Sequence, residues 1–328
     1  MQPSAARYRT DDPASIDALV GDIQYYLTLM PRQLPSRYFY DPLGSALFEA
    51  ICELPWYGIT RAERMLLERH SREIFARVGS LSTLVELGPG SGDKLASLLS
   101  RGGAPARGLT VHLVDISAAA LNLAERTLVA LDPDLVVAPH LATYESGLAD
   151  AMNGRAANGR AMTLFLGSNI GNFDPPGACA FLRAVRSSFS IGDSLLVGTD
   201  LVKSERDLLL AYDDPLGVTA AFNRNLLVRI NRELGGNFDL VGFGHRAIWN
   251  ARDSRVEMHL VAHGRQRVRI NALDLDIELA DGETIWTESS YKYRPAEIVS
   301  LVECTGFRLA GQWLADADQF ALTLFEAA

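Results

Sequence analysis

The stretch Leu84-Val85-Glu86-Leu87-Gly88-Pro89-Gly90-Ser91-Gly92-Asp93-Lys94 decides the fold. A short apolar run has the composition of a buried parallel strand, and three glycines at alternate positions then open a helix. Leu109-Thr110-Val111-His112-Leu113-Val114-Asp115 follows as a second strand ending in a carboxylate. Together the two segments make a nucleoside-binding βαβ unit. Its glycines let backbone approach a ligand, and an acid at the end of the next strand accepts ribose hydroxyls.

The spacing narrows the choice of nucleoside. A dinucleotide fingerprint is G-x-G-x-x-G, with a pyrophosphate on the helix N-terminus. Here Gly88, Gly90 and Gly92 give G-x-G-x-G, and Glu86 precedes them at the strand end. A carboxylate there repels a pyrophosphate. It suits a ligand with a positive end, such as the sulfonium and ammonium of S-adenosylmethionine. The stretch resembles the first motif of class I methyltransferases; the plainer alternative is a tight strand-to-helix turn with no ligand.

Composition fits an enzyme with a substantial core. The chain has 328 residues, 48% hydrophobic and 22% charged, enough for one large core or two smaller ones. Its net charge of −9 argues against a nucleic-acid partner, since no basic surplus exists to neutralise phosphates. Cys52, Cys179 and Cys304 are odd in number and far apart, which suggests neither a disulfide framework nor a metal cluster. No apolar run reaches membrane-spanning length, and Met1 to Pro13 lacks the apolar core of a signal peptide. A cytosolic, cytoplasmic location, no membrane partner and a monomer are the expectations.

Along the chain, residues 1–14 have the composition of a disordered terminus. Ile16 to Met30 and Pro42 to Cys52 pattern as helices, and Thr60 with Glu63 forms a capping box opening a helix to about Val78. Strands at 84–87, 110–114, 135–139, 163–167 and 193–200 alternate with helices at 91–101, 117–131 and 177–189. That alternation predicts a doubly wound α/β sheet. Residues 150–161 pattern as a polar loop. The rhythm then changes: after a helix from Ala220 to Leu234, period-two runs at 239–249, 255–263, 266–270 and 273–279 suggest an antiparallel sheet. A helix at 295–305 and strands near 307–314 and 319–326 close the chain. The expected architecture is a cofactor domain, 61–201 plus 292–328, and an α+β substrate domain, 15–60 plus 202–291. The active site is expected in the cleft between them.

Longer motifs name a family. Phe39-Tyr40-Asp41-Pro42-Leu43-Gly44-Ser45-Ala46-Leu47-Phe48 and Glu53-Leu54-Pro55-Trp56-Tyr57-Gly58-Ile59-Thr60-Arg61 precede the glycine turn. Gly167-Ser168-Asn169-Ile170-Gly171-Asn172 ends a strand. Tyr212-Asp213-Asp214-Pro215-Leu216-Gly217-Val218-Thr219-Ala220-Ala221-Phe222-Asn223 leads into the long helix, and Thr287-Glu288-Ser289-Ser290-Tyr291-Lys292-Tyr293 closes the inserted segment. Over essentially its full length the chain resembles the histidine Nα-methyltransferases of ergothioneine biosynthesis, which have a Rossmann-like class I methyltransferase fold.

The resemblance implies roles for particular residues. Asn172 and Tyr212 hold the substrate α-carboxylate, Tyr57 lies beside the α-amine, and Tyr40 lines the same pocket. Glu288 and Ser290 grip the imidazole, and Met258 packs against it. Tyr57 and Asn172 are the implied catalytic residues. S-adenosylmethionine falls to Glu86, Gly88, Gly90, Gly92, Lys94, Asp115, Thr143, Tyr144 and Gly167. The set is chemically coherent: an imidazole N–H needs an acceptor such as Glu288, and a trimethylated nitrogen suits the aromatic faces of Tyr40, Tyr57 and Phe222. Methyl transfer is an in-line displacement in which alignment does most of the work. Taken alone, each residue has a plainer reading. Met258 would be core, Asn172 a turn residue with positive φ, Tyr57 and Tyr212 packing tyrosines, and Glu288 a surface residue.

Two features depart from the family pattern. Thr143-Tyr144 stands where the family has an Asp-Phe pair against adenine, and Asn169 replaces a threonine beside the substrate pocket. His259 and His263 are four apart but lie in a strand pattern with no third ligand nearby, so no metal is expected. Arg265, Arg267 and Arg269 alternate along one strand, the pattern of a solvated edge. The leading expectation is trimethylation of the α-amine of L-histidine to hercynine. The alternatives are an Nα-methyltransferase of another aromatic amino acid such as tryptophan, and a catalytically silent binding protein.

Overall fold

A computed structural model describes residues 16–102, 108–155, 159–315, 317 and 319–328. The terminus expected to be disordered, residues 1–14, lies outside the described residues. Along the chain the elements are α1 (Ile16–Thr28), β1 (Arg32–Gln33), α2 (Pro42–Cys52), α3 (Gly58–Val78), β2 (Leu81–Leu87), α4 (Asp93–Gly102), β3 (Thr110–Asp115) and α5 (Ala118–Leu131). There follow β4 (Val136–Leu141), α6 (Tyr144–Asn153), β5 (Arg160–Phe165), α7 (Pro175–Ser187), β6 (Ser194–Asp200), α8 (Glu205–Tyr212) and α9 (Val218–Leu234). The chain ends with β7 (Phe243–Asn250), β8 (Arg255–Ala262), β9 (Gln266–Ile270), β10 (Leu275–Leu279), β11 (Thr284–Tyr291), α10 (Pro295–Glu303), β12 (Phe307–Ala315) and β13 (Phe320–Ala327).

The chain divides into two compact units. The first comprises Ile59–Val202 and Lys292–Ala328. Its seven-stranded sheet has the order β12-β13-β6-β5-β2-β3-β4. Strands β6, β5, β2, β3 and β4 run parallel, β13 runs antiparallel to β6, and β12 runs antiparallel to β13. The order reverses direction at β2, so a crevice opens at the carboxyl ends of β2 and β5. That is where Glu86, the glycine turn and Gly167 stand. Val85, Leu87, Phe165, Val197 and Phe325 from the sheet pack with Phe181, Leu182 and Val185 of α7 in the core of this unit. The central strands β2, β5, β6 and β13 are buried on both faces, so they lack polar alternation in sequence.

The second unit comprises the segment up to Gly58 together with Lys203–Tyr291. It holds a four-stranded sheet, β1-β11-β8-β7, and a separate hairpin, β10-β9. The helix α9 packs on α2 and on β7 and β8. Asp41 explains much of the Tyr40–Phe48 motif. It caps α2 by accepting from the Gly44 amide at 2.7 Å, and it also accepts from Asn225 and Arg232 of α9, each at 2.7 Å. Gly44 has no room for a side chain, since a Cβ would lie 1.6 Å from the Phe39 carbonyl oxygen. The Asp214 carboxylate likewise organises the turn into α9, accepting from the amides of Leu216, Val218 and Thr219 at 2.7–3.2 Å.

Several expectations change. The helix α3 starts at Gly58, so Thr60 lies within its first turn and is no N-cap, and Glu63 is fully buried in other bonds. Residues 150–153, expected in a loop, complete α6. The period-two runs do not form one sheet, because β9 and β10 make a two-stranded sheet apart from β7, β8 and β11. Arg267 bonds Glu278 at 2.8 Å and Arg269 bonds Asp276 at 2.6 Å across that hairpin. A bulge interrupts β11 between Trp286 and Glu288. Bulges re-aim side chains, and no period-two count shows them. Among the described residues no helix is long and apolar enough to cross a membrane.

Candidate active site

The sequence places three conformational demands in the turn after β2. Gly88, Gly90 and Gly92 all have positive φ, at 73°, 55° and 80°. At Gly88 a Cβ would also come within 3.0 Å of the Tyr144 hydroxyl and 3.1 Å of the Asn169 amide nitrogen. At Gly92 it would lie 2.9 Å from the Ala124 Cα. The turn therefore requires glycine for its backbone and for its close neighbours, as a ligand cradle does.

Ionisable groups are concentrated behind this cradle. Glu86 is buried, its Oε2 has no hydrogen-bond partner, and desolvation pushes its carboxyl up to about 8. The Lys94 ammonium opposes that rise, while Glu63 and Asp115 add to it. Burial likewise pushes Asp115 up to about 6, against bonds from the backbone amides of Ser117 and Ile116. The Ser117 amide donates to Asp115 Oδ1 at 2.8 Å. Tyr144 is pushed well above its ordinary value by burial, with Asp115 and Glu145 adding to it. Its ring meets Phe165 and Phe181 edge-on. Thr143 caps α6, accepting from the Ser146 amide at 3.4 Å.

Glu63 is the residue that sequence reasoning missed here. Both of its oxygens accept from the Gly167 amide at 2.9 Å, and Lys94 Nζ lies 2.6 Å from Oε2. It thus ties α3, α4 and the end of β5 into one charged cluster. Its position at N3 of an apparent capping box concealed this, because local spacing reports nothing about partners a hundred residues away. Ser168 follows in the left-handed region, with φ 60°, and its Oγ accepts from the Asp200 amide at 3.0 Å. Asn172 ends a short 3₁₀ turn, Asn169–Asn172, and is exposed. Among the described residues, positive φ falls on Gly167 and Ser168 in this motif and not on Asn172.

The second unit brings seven of the expected substrate residues into one neighbourhood. Tyr40 and Phe222 meet edge-on at 5.8 Å, and Tyr57 and Tyr212 at 6.3 Å. Phe48, not anticipated as a site residue, links them, lying 5.6 Å from Tyr40, 6.3 Å from Tyr57 and 5.9 Å from Phe222. The Tyr212 hydroxyl donates to Ser290 Oγ at 2.8 Å. Glu288 pairs across the strands with buried Met258. Tyr57 is raised well above the usual tyrosine value, first by burial and then by Tyr212, Cys52, Tyr40 and Glu288. A hydroxyl so placed stays protonated. It offers a lone pair or a proton to a hydrogen bond and does not act as a phenolate base. Among the described residues no group of three metal-ligating side chains occurs. His259 stacks on Trp286 and lies 3.3 Å from Glu257.

The residues of the first unit fit S-adenosylmethionine. An unpartnered buried carboxylate oxygen at Glu86 suits a cationic donor, Asp115 adds a second acid beside it at the end of β3, and three positive-φ glycines bring no side chain into the turn. Fold and site together define an S-adenosylmethionine-dependent methyltransferase. Residues 19–327 match the family described as "Histidine-specific methyltransferase, SAM-dependent", and the chain belongs to that family. It is 40% identical to the histidine N-alpha-methyltransferase of Mycolicibacterium smegmatis, over 99% of both chains. It is 28% identical to ergothioneine biosynthesis protein 1 of Schizosaccharomyces pombe, covering 89% of this chain and 39% of that one. It is also 29% identical to the L-tryptophan methyltransferase trpM of Psilocybe serbica, over 90% of this chain and 88% of that one.

Proposed function

We propose that the protein methylates the α-amine of L-histidine three times, giving hercynine, the trimethylated precursor of ergothioneine. Family membership and the 40% identical mycobacterial relative support this reading. The observation that carries it is the polar cluster of the second unit, where Tyr57, Tyr212, Ser290 and Glu288 adjoin an otherwise aromatic wall.

Bound S-adenosylmethionine supplies an electrophilic methyl group. Glu86 is assigned its cationic end, Asp115 its ribose, and Lys94 and Gly167 the backbone cradle that Glu63 fixes. Thr143 and Tyr144 are assigned the adenine side. For the amino acid, Glu288 accepts the imidazole N–H and Ser290 supplies a second hydrogen bond. Tyr212 turns its hydroxyl proton from Ser290 Oγ to the carboxylate, to which Asn172 also donates. Tyr57 accepts an N–H of the neutral amine through its hydroxyl oxygen, aiming the nitrogen lone pair. The amine's proton passes to water, since the buried phenol holds its own. As methyl groups accumulate, Tyr40, Tyr57 and Phe222 present ring faces to the fixed cation.

A carboxylate and a hydroxyl favour an imidazole, which offers two ring nitrogens, over an indole, whose single N–H leaves one of them unpaired. Incubating the protein with S-adenosylmethionine and each of the twenty amino acids, followed by mass analysis, tests the reading. Trimethylated histidine alone is expected. Modification of tryptophan in preference to histidine overturns the substrate, and no modified amino acid overturns the activity.

A further inference from the structure

We propose that His245 and Asn223 form a positioning pair that holds Tyr212 in place for the substrate. The inference rests on the reading of Tyr212 as a substrate residue, and it concerns groups that no sequence motif singled out for chemistry.

His245 stands on β7 with its side chain 1% exposed. Its Nε2 lies 2.8 Å from the Tyr212 carbonyl oxygen, and its Nδ1 lies 2.8 Å from Asn223 Nδ2. The geometry fixes the proton. A carbonyl can only accept, so Nε2 carries the hydrogen and Nδ1 must accept. The amide is fixed in turn, because Asn223 Nδ2 also donates to the His259 carbonyl oxygen at 3.2 Å. The two carbonyls at the ends of this chain thus select one tautomer and one amide orientation. The imidazole is held neutral.

The surroundings agree. Burial lowers the His245 pKa, opposed by its bond to Tyr212 and by Asp213 and Asp214, while Arg224 lowers it further. Asp213 Oδ1 is 3.9 Å from Nε2. Protonation would set an Nδ1–H against the Asn223 amide hydrogens.

Tyr212 is where this device acts. It is the last residue of α8, and its carbonyl belongs to the last turn, whose oxygens lack intrahelical donors. The chain departs sharply at Asp213, with φ −144° and ψ 68°. The ring N–H of His245 satisfies that carbonyl in a buried place where water cannot. One residue is therefore held at both ends, its backbone by His245 and its hydroxyl by Ser290. A buried histidine spent on a helix end would be unremarkable elsewhere. Here the helix end carries the tyrosine.

The test uses His245→Phe, His245→Gln and Asn223→Ala in the full chain. Glutamine places its amide nitrogen near the position of Nε2 and keeps the donor, whereas phenylalanine keeps the bulk and removes it. His245→Phe should raise KM for the methylated amino acid about tenfold, the scale of one lost hydrogen bond. His245→Gln should recover most of that, Asn223→Ala should fall between, and the affinity for S-adenosylhomocysteine should not change. Equal loss of melting temperature in all three variants with KM unmoved would overturn the proposal. A second readout needs no substrate. Spectra of protein carrying ¹⁵N-histidine and ¹³C-tyrosine should show His245 as the neutral Nε2–H tautomer at neutral pH. The Tyr212 ring signal should move in His245→Phe but stay in His245→Gln. An Nδ1–H tautomer or an imidazolium there refutes the pair even if the enzyme acts on another amino acid. A correct tautomer with no wild-type activity on histidine refutes the substrate reading alone.

Discussion

The Tyr212 hydroxyl donates to Ser290 Oγ at 2.8 Å, joining two residues 78 positions apart in sequence. The family resemblance assigns one of them to the substrate carboxylate and the other to its ring. Because they share a hydrogen bond, their contributions should not be independent. Tyr212→Phe and Ser290→Ala combined should deviate from the sum of the single effects by about 0.5–3 kcal/mol. Histidine affinity measured for the four proteins of the cycle checks this. Additivity to within about 0.5 kcal/mol would show that the two hydroxyls act separately.

Substrate choice should reside in Glu288. Glu288→Ala removes the acceptor for the ring N–H, and sites that read a substrate hydrogen bond discriminate by about 10⁴-fold or more. The variant should lose kcat/KM for histidine heavily and gain tryptophan relative to it, with cofactor affinity unaltered. Competition between the two amino acids measures the ratio. An unchanged ratio places specificity in other residues.

The protonation of Glu86 should couple cofactor binding to pH. Its folded value of about 8 lies above the ordinary 4.5, so the fold favours the neutral acid. Below about 4.5 the group is protonated whether the chain is folded or not and costs nothing; above about 8 it must ionise while buried, and the cost is complete. Glu86→Gln should therefore raise the melting temperature of the ligand-free protein near pH 8 and have little effect near pH 4. A cationic ligand reverses the preference, so S-adenosylmethionine should release a proton on binding at neutral pH. Calorimetry in buffers of different ionisation enthalpy reads that proton, and a buffer-independent heat would exclude the coupling.

Glu63 and Lys94 should behave as one unit. Removing one member of a buried ion pair costs about 3–5 kcal/mol, and Lys94→Met leaves the fully buried Glu63 without its cation. Denaturant unfolding should show a loss toward the lower end of that range, since Lys94 is partly exposed. Glu63→Gln retains an acceptor for the Gly167 amide and should lose less stability, while weakening S-adenosylhomocysteine through the displaced lysine. Equal stability of both variants to wild type would mean that the pair is idle.

Most of the order of strands and helices in the first unit was legible from apolar runs and helical periods, α6 (Tyr144–Asn153) excepted, and the glycine turn announces itself by composition. The α/β class, S-adenosylmethionine and the Tyr40, Tyr212 and Glu288 motifs all follow from runs of neighbouring residues. Asp41 and Asp214 show the limit of such reading: they occur in the same motifs as the substrate residues, yet they cap α2 and shape the turn into α9. Motif membership alone does not separate a carboxylate that holds the chain from one that faces a ligand.

What the sequence determined by itself is therefore local: most of the strands and helices, where backbone must be glycine, and which family's residues stand in order. What the tertiary structure decided is which side chains lose water and who replaces it. Glu63, spaced as a helix cap, is buried against Gly167 and Lys94. His245, an ordinary strand histidine by pattern, has its tautomer fixed by carbonyls of Tyr212 and, through Asn223, of His259. The charge of Glu86 depends on its solvent-free position beside three other ionisable groups. Desolvation and hydrogen-bond partnership are set by residues far apart in the chain, so they exist only once the chain has folded.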